Sequence, residues 1–334
     1  MKRFLLAGLA GALVLAACGD DTPASSTPAA ITLVAYDSFP TKDTPLNAAL
    51  DAFTADTGIV VNIATAGDTG TMVTKAVLTA GNPEGDVMWG VDNTLLSAAI
   101  DGMVFAGEPT QVDFGDVCVN YDIAWFAERS VPPPTTMDDL LLPEYRDLLV
   151  VQNPATSSPG LAFLMATIAH TGEDSWQQYW TDLRANGVEV VDSWDSAYYE
   201  RFSGAAGSAG EKPLVVSYGS SPPAEVVFAD PPRDDAPTGV VESTCFRQIE
   251  YAGVLRGTKH PDEAAQLAAF LLSEAFQEEL PLTLFVYPAN PSVALPEVFT
   301  KFAVVPTNPF TFDPATIAAN RQQWQDKWTE IVLR

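Results

Sequence analysis

Aromatic rings interleaved with carboxylates mark one short stretch of the chain. Residues 191–202 read VDSWDSAYYERF, which sets Trp194, Tyr198 and Tyr199 among Asp192, Asp195 and Glu200. An aromatic face attracts a cation by about 0.5–2 kcal/mol, depending on desolvation. A neighbouring carboxylate adds charge attraction and accepts hydrogen bonds. The pattern suits a flat, positively charged ligand. It also suits a helix start, with Ser193 or Asp195 as N-cap and Tyr198 and Phe202 on the buried face. Two more clusters offer polar groups. Thr156, Ser157 and Ser158 sit in NPATSSPG ahead of an apolar run. Hydroxyls and free backbone N–H groups at a helix start suit an anion or the polar end of a ligand. Tyr218 is followed by Gly219, Ser220 and Ser221.

Catalytic chemistry has little material. The chain holds two histidines, His170 and His260, and three cysteines. That is poor stock for a zinc site or a histidine-based triad. No G-x-S-x-G surrounds Ser157 or Ser217, which leaves a secreted serine hydrolase as a remote alternative. The glycine-rich run GAAGSAG, 204–210, lacks a following Walker lysine. The expectation is a binding protein that is not an enzyme and carries no metal or cofactor.

The elements that position these residues follow in order. Apolar strand-like runs at 31–36, 59–66 and 86–91 are each followed by a loop and a helical pattern, at 46–57, 71–79 and 94–100. Strand, loop and helix repeated three times predict a parallel α/β sheet. Ligands of such sheets bind beyond the carboxyl ends of the strands, where Asp37, Asp68 and Asp92 fall. Each of the three also fits a helix N-cap. Further strands are expected at 117–125, 148–152, 188–191, 214–218 and from 239 through 251. Helices are expected at 161–169, 174–185, 261–279 and 313–332. Trp176 and Trp180 read as core.

With 334 residues, 47% of them hydrophobic, two domains are expected. A net charge of −26 repels nucleic acid and anionic lipid and favours cationic ligands. Lys2 and Arg3 precede an apolar run, 4–14, too short for an ordinary spanning helix. It ends in Leu15-Ala16-Ala17-Cys18, which resembles a bacterial lipoprotein signal. That resemblance implies export, removal of residues 1–17, a lipid anchor on Cys18 and a tether over 18–30. In an oxidising compartment the remaining Cys118 and Cys245 read as a disulfide; two buried thiols are the alternative.

Six segments, in order, carry a wider resemblance: YDSF at 36, GDVMWGVDNTLL at 85, NPATSSPGL at 153, SWDSAYYERF at 193, VVSYGSSP at 215 and LFVYPAN at 284. They resemble the thiamine-binding proteins of bacterial ABC importers, across nearly the whole mature chain. The resemblance implies a two-lobed α/β fold of the periplasmic-binding-protein kind (type II-like) with hinge strands near 117–121 and 246–251. Lobe I would be 31–117 plus 252–334, and lobe II 118–251. A Cys118–Cys245 bond would brace the hinge. The implied function is capture of thiamine or its phosphates by a monomer, with delivery to an ABC permease and its ATPase. Membrane contact would come only through the lipid anchor. Matching motif by motif places Tyr36, Asp68, Thr69, Ser157, Ser158, Trp194, Tyr218, Gly219, Ser220, Ser221 and Phe285 in the site. Two positions depart: Ala224 stands where relatives have a tyrosine, and Phe285 where they have a tryptophan. A same-fold binder of ferric ion or a polyamine is the alternative, with Tyr198-Tyr199 as the iron-like feature.

Overall fold

The computed structural model describes residues 29–334; the signal segment and Cys18 lie outside them. Nine strands form one sheet. They are β1 (Ala30–Ala35), β2 (Val60–Thr65), β3 (Val87–Asp92), β4 (Thr110–Asp122), β5 (Leu149–Gln152), β6 (Glu189–Val191), β7 (Leu214–Tyr218), β8 (Thr238–Val254) and β9 (Tyr287–Pro288). Their spatial order is β2-β1-β3-β8-β4-β7-β5-β6, with β9 beside β4. The three β–α repeats give the expected parallel group, β2-β1-β3. A second parallel group, β7-β5-β6, lies at the other end. The long antiparallel strands β4 and β8 join them. β3 is buried along its whole length, as a parallel strand covered on both faces should be.

The helices are α1 (Pro45–Thr57), α2 (Thr69–Leu78), α3 (Leu96–Asp101), α4 (Ile123–Arg129), α5 (Ser158–Thr171), α6 (Trp176–Ala185), α7 (Pro222–Val227), α8 (Pro261–Phe270), α9 (Glu274–Gln277), α10 (Leu280–Thr283), α11 (Glu297–Phe302) and α12 (Pro314–Val332). Among the described residues, no helix is long and apolar enough to cross a membrane. Thr44 and Asn47 close a capping box at the start of α1, and Gly58 ends it at φ +74°. Asp68 caps α2. α5 is apolar on every side and buried from Ser158 to Ile168, which is what a helix inside a core requires.

Two elements depart from the sequence reading. The expected strand 117–125 stops at Asp122, whose side chain accepts from the Trp125 N–H and starts α4. The expected helix 261–279 breaks into α8 and α9, because Ser273 caps a new turn. α12 packs on α6 and α3. Trp328 meets Trp180 edge-on at 5.4 Å, and Gln325 Nε2 donates to Pro154 O at 2.6 Å. Trp176 and Trp180 are core residues, as read.

Cys118 and Cys245 are bonded, with their Cα atoms 4.2 Å apart. The bond sits at a bulge. β8 pairs Phe246 with Val117 and then Val241 with Val119, so residues 242–245 are looped out of the ladder. Thr244 ties this loop back by accepting from the Val119 N–H at 2.9 Å and donating to Val241 O at 2.7 Å.

Candidate functional site

A cavity of about 430 Å³ opens where the two parallel groups face each other across β4 and β8. Tyr36, Asp68, Thr69, Glu250 and Phe285 line it from one side. Ser158, Trp194, Tyr199, Tyr218, Ser221 and Phe228 line it from the other. Four carboxyls reach the lining, from Asp68, Asp195, Glu200 and Glu250; no Lys, Arg or His does so among the described residues.

Trp194 is fixed at three points. Its N–H donates to Asp68 Oδ2 at 2.8 Å and its indole N–H to Ser217 Oγ at 3.0 Å. Its ring stacks on Tyr198, centroids 4.9 Å apart and planes 16° apart. Tyr199 stands edge-on to it at 5.4 Å. Tyr198 is held in turn by donating its hydroxyl to Glu225 Oε1 at 2.9 Å. Ser193 caps the start of the segment as expected, its Oγ accepting from the Ser196 N–H at 3.2 Å, but the helix that follows is not an ordinary one. Residues Ser196–Arg201 form one wide π-type turn, and Asp195 makes no capping bond. Such turns occur often at functional sites. Tyr198 and Phe202 are buried, as either reading requires.

Asp68 joins the two sides. One carboxylate oxygen accepts from the Thr69 N–H at 2.7 Å, the other from Trp194. Nearby, Thr71 donates its N–H to Thr156 O at 3.1 Å. Gly70 must be glycine here: a Cβ would lie 2.6 Å from Thr156 O. Gly90 has the same kind of role, since a Cβ there would strike the Tyr36 ring. At the lip, Phe228 meets Phe285 edge-on at 5.6 Å. Phe285 sits at φ +55°, a left-handed conformation that costs a bulky residue energy and tends to mark functional loops.

Of the eleven ligand positions read from the sequence, eight line the cavity: Tyr36, Asp68, Thr69, Ser158, Trp194, Tyr218, Ser221 and Phe285. Three do not. Ser157 is fully buried behind the lining, close enough to Asp68 to favour its charged form. Gly219 turns away, donating its N–H to Asp116 O at 2.8 Å and packing against Val304. Ser220 is buried outside the lining. Asp37 and Asp92 act locally. Asp37 accepts from the Gly67 N–H at 2.9 Å, and Asp92 accepts from Thr94 and Leu95 at the start of the turn that leads to α3. Sequence reading missed Glu250 and Phe228. Glu250 left a weak trace as an acid within the β segment; Phe228 left none beyond its place four residues after Ala224. That spacing puts both on one face of the chain, and both line the cavity. A ring therefore stands near the position where the departure at Ala224 had suggested none.

Burial pushes the Asp68 carboxyl up to about 6, against its hydrogen bonds from Trp194 and Thr69 and the nearby Ser157 hydroxyl. A carboxyl whose folded value exceeds its unfolded value stabilises the fold at low pH. That contribution is lost as pH rises from about 4 through 6. The unliganded protein should therefore melt roughly 2 °C higher at pH 5 than at pH 7.5. Asp68→Asn should flatten that slope. Calorimetric melting across this range is the check, and a wild-type Tm that rises with pH would contradict the assignment.

Comparison with known proteins agrees with this geometry. Residues 103–219 match the family model described as bacterial extracellular solute-binding protein. A thiamine-binding periplasmic protein of Salmonella typhimurium is 30% identical over 317 residues, covering 91% of this chain and 94% of the relative. The chain belongs to the thiamine-binding periplasmic protein family. A solved periplasmic thiamin-binding protein superposes with a TM-score of 0.79 at 26% identity, covering 91% of this chain and 96% of the other. A ferric-binding protein from Campylobacter jejuni shares the fold at a TM-score of 0.67 and 14% identity, covering 90% and 99%. The family's architecture is the two-lobed solute-binding fold.

Proposed function

We infer that the protein captures thiamine outside the cytoplasm and delivers it to an ABC permease driven by its ATPase. The observation that carries this reading is the lining itself: four carboxyls, no basic side chain among the described residues, and aromatic rings on both sides. Thiamine joins a permanently cationic thiazolium to a flat aminopyrimidine. Trp194 presents a ring face already stiffened by Tyr198, and Tyr36, Phe285 and Phe228 offer further faces. Asp68 can offset the cation or accept from the amino group. Ser158, Ser221 and Thr69 can hold the hydroxyethyl end. The cavity volume suits a ligand of this size.

The same lining sets an order among ligand forms. Each added phosphate brings negative charge toward four carboxyls with no basic side chain to meet it. Free thiamine should bind more tightly than thiamine monophosphate, and the monophosphate more tightly than the diphosphate. Isothermal titration with the three, and with spermidine as control, tests both statements. Absence of heat from all three thiamine forms would overturn the function; a preference for the diphosphate would overturn the ranking. Ferric ion fits less well, because iron sites built on tyrosines need them ionised. Burial holds Tyr36, Tyr198 and Tyr218 well above the ordinary tyrosine range. Tyr198 is also committed to Trp194 and Glu225.

Contacts between Asp68 and Trp194, Thr71 and Thr156, and Phe228 and Phe285 draw the cleft shut. A ligand touching both walls favours this closed form only through what it gains from both. Lobe I would comprise the β2-β1-β3 group with α8 to α10. Lobe II would comprise the β7-β5-β6 group with α12 packed on it. The lipid anchor on Cys18 would hold a monomer at the membrane while its acidic lobes stay in water.

A further inference from the structure

Beneath the rings, the floor of the cavity carries a row of acids. Asp92 on β3, Glu250 on β8 and Asp113 on β4 are cross-strand partners in register. Partners directly opposite in an antiparallel ladder point to the same face. Asp92 is satisfied by Thr94, the Leu95 N–H and Gln248. The other two are not. Among the described residues, no donor makes a hydrogen bond to either oxygen of Asp113 or to Oε2 of Glu250, although the unpartnered Trp89 indole N–H lies near Glu250. Asp113 is fully buried, and Glu250 is 5% exposed yet lines the cavity. The groups facing this pair are Asp92 from β3, Tyr36 from the loop after β1 and Tyr218 from β7, with Asp68 at the start of α2 beyond Tyr218. None is basic. Two adjoining carboxyls in such a place cannot both be ionised while no cation stands beside them. The hydrogen bond they are close enough to form requires a proton.

We propose that the Asp113–Glu250 pair is the charge-recognition element of the cavity, holding one proton when empty and releasing it when a flat organic cation seats over Glu250. The proposal rests on the reading that the ligand is thiamine-like. The exchange balances: one O–H bond of the pair breaks, the proton passes to water, and the fixed charge of the ligand replaces it. No electrons are transferred, and the net charge of the occupied floor equals that of the empty one. Burial raises both groups, and the neighbouring Asp113 and Asp92 raise Glu250 further, which keeps the proton in place at neutral pH. A neutral ligand of the same shape has no charge to exchange for it. Affinity for the cation therefore rises with pH, while affinity for a neutral analogue stays level.

Titration calorimetry with thiamine at pH 7.5 tests this, because Asp68, at about 6, is already ionised there. The protein is titrated in phosphate and in Tris, whose ionisation heats differ widely. The apparent enthalpies should differ by the equivalent of roughly half to one proton released per thiamine. Glu250→Gln should abolish the difference and weaken binding at least tenfold. Asp113→Asn should reduce proton release while retaining measurable binding. Thiamine binding with equal enthalpy in both buffers would overturn the proposal and leave the function standing. No thiamine binding by the wild type would overturn both. The two-buffer comparison needs only the wild-type protein, so a variant that fails to fold does not remove the test.

Discussion

Replacing Trp194 with alanine is expected to weaken thiamine binding at least tenfold, which is about 1.4 kcal/mol. The backbone N–H that reaches Asp68 survives the change, so cleft closure keeps that link. What disappears is the ring. A ring facing a desolvated cation contributes up to about 2 kcal/mol, and an aromatic stack such as that on Tyr198 roughly 0.5–1.5 kcal/mol. Loss of the indole also leaves Ser217 Oγ without that donor, although Ser221 still bonds to it at 2.9 Å. Trp194→Phe keeps a face and loses only the N–H, so its loss should be several-fold smaller. Calorimetric titration of the two variants decides the matter. An unchanged Kd for Trp194→Ala would remove the residue from the site.

Removing the disulfide should produce the largest change in stability. Cys118 and Cys245 are 127 residues apart in sequence, so the bond closes a long loop in the unfolded chain. The chain-entropy model assigns such a loop about 4–5 kcal/mol, and measured values usually run nearer 2–4 kcal/mol. Both residues are buried, and the bond pins the bulge where β8 slips against β4. Cys118→Ala with Cys245→Ala should therefore lower the unfolding free energy by about 2–4 kcal/mol. Neither cysteine lines the cavity, so the variant should still bind thiamine below its melting temperature. Guanidinium unfolding checks this; an unchanged midpoint would show that β4 and β8 hold each other without the bond.

The parts of the fold that could be read in advance are those governed by local pattern. Apolar runs followed by helical patterns gave away β1 to β3 and α1 to α3. The apolar run after Pro159 gave away α5. Motif resemblance placed Asp68 and Trp194 where the structure brings them into contact, although 126 positions separate them. Register was not legible. Glu250 alternates with apolar neighbours as a solvent-facing strand residue would. Only its alignment with Asp113, 137 positions away, shows that it faces inward. Ser157 and Ser158 differ by one step along a helix start, and that step decides which one reaches the cavity. Gly219 and Ser220 follow a strand end whose turn directs them toward Asp116 and Val304 rather than the cleft. The π-type turn at Ser196–Arg201 has a tyrosine spacing that an ordinary helix would share. α12 looked amphipathic, but nothing local named α6 as its partner.

Seven tryptophans are spread through this chain, yet Trp194 alone belongs to the cavity lining. Trp89, Trp180 and Trp328 are enclosed in the core. The molecule thus carries its own optical label. Ligand arriving at the cleft perturbs one emitter directly, while the other six form a steady background. A change in intrinsic emission on adding thiamine, absent in Trp194→Phe, would follow occupancy in real time with no dye attached.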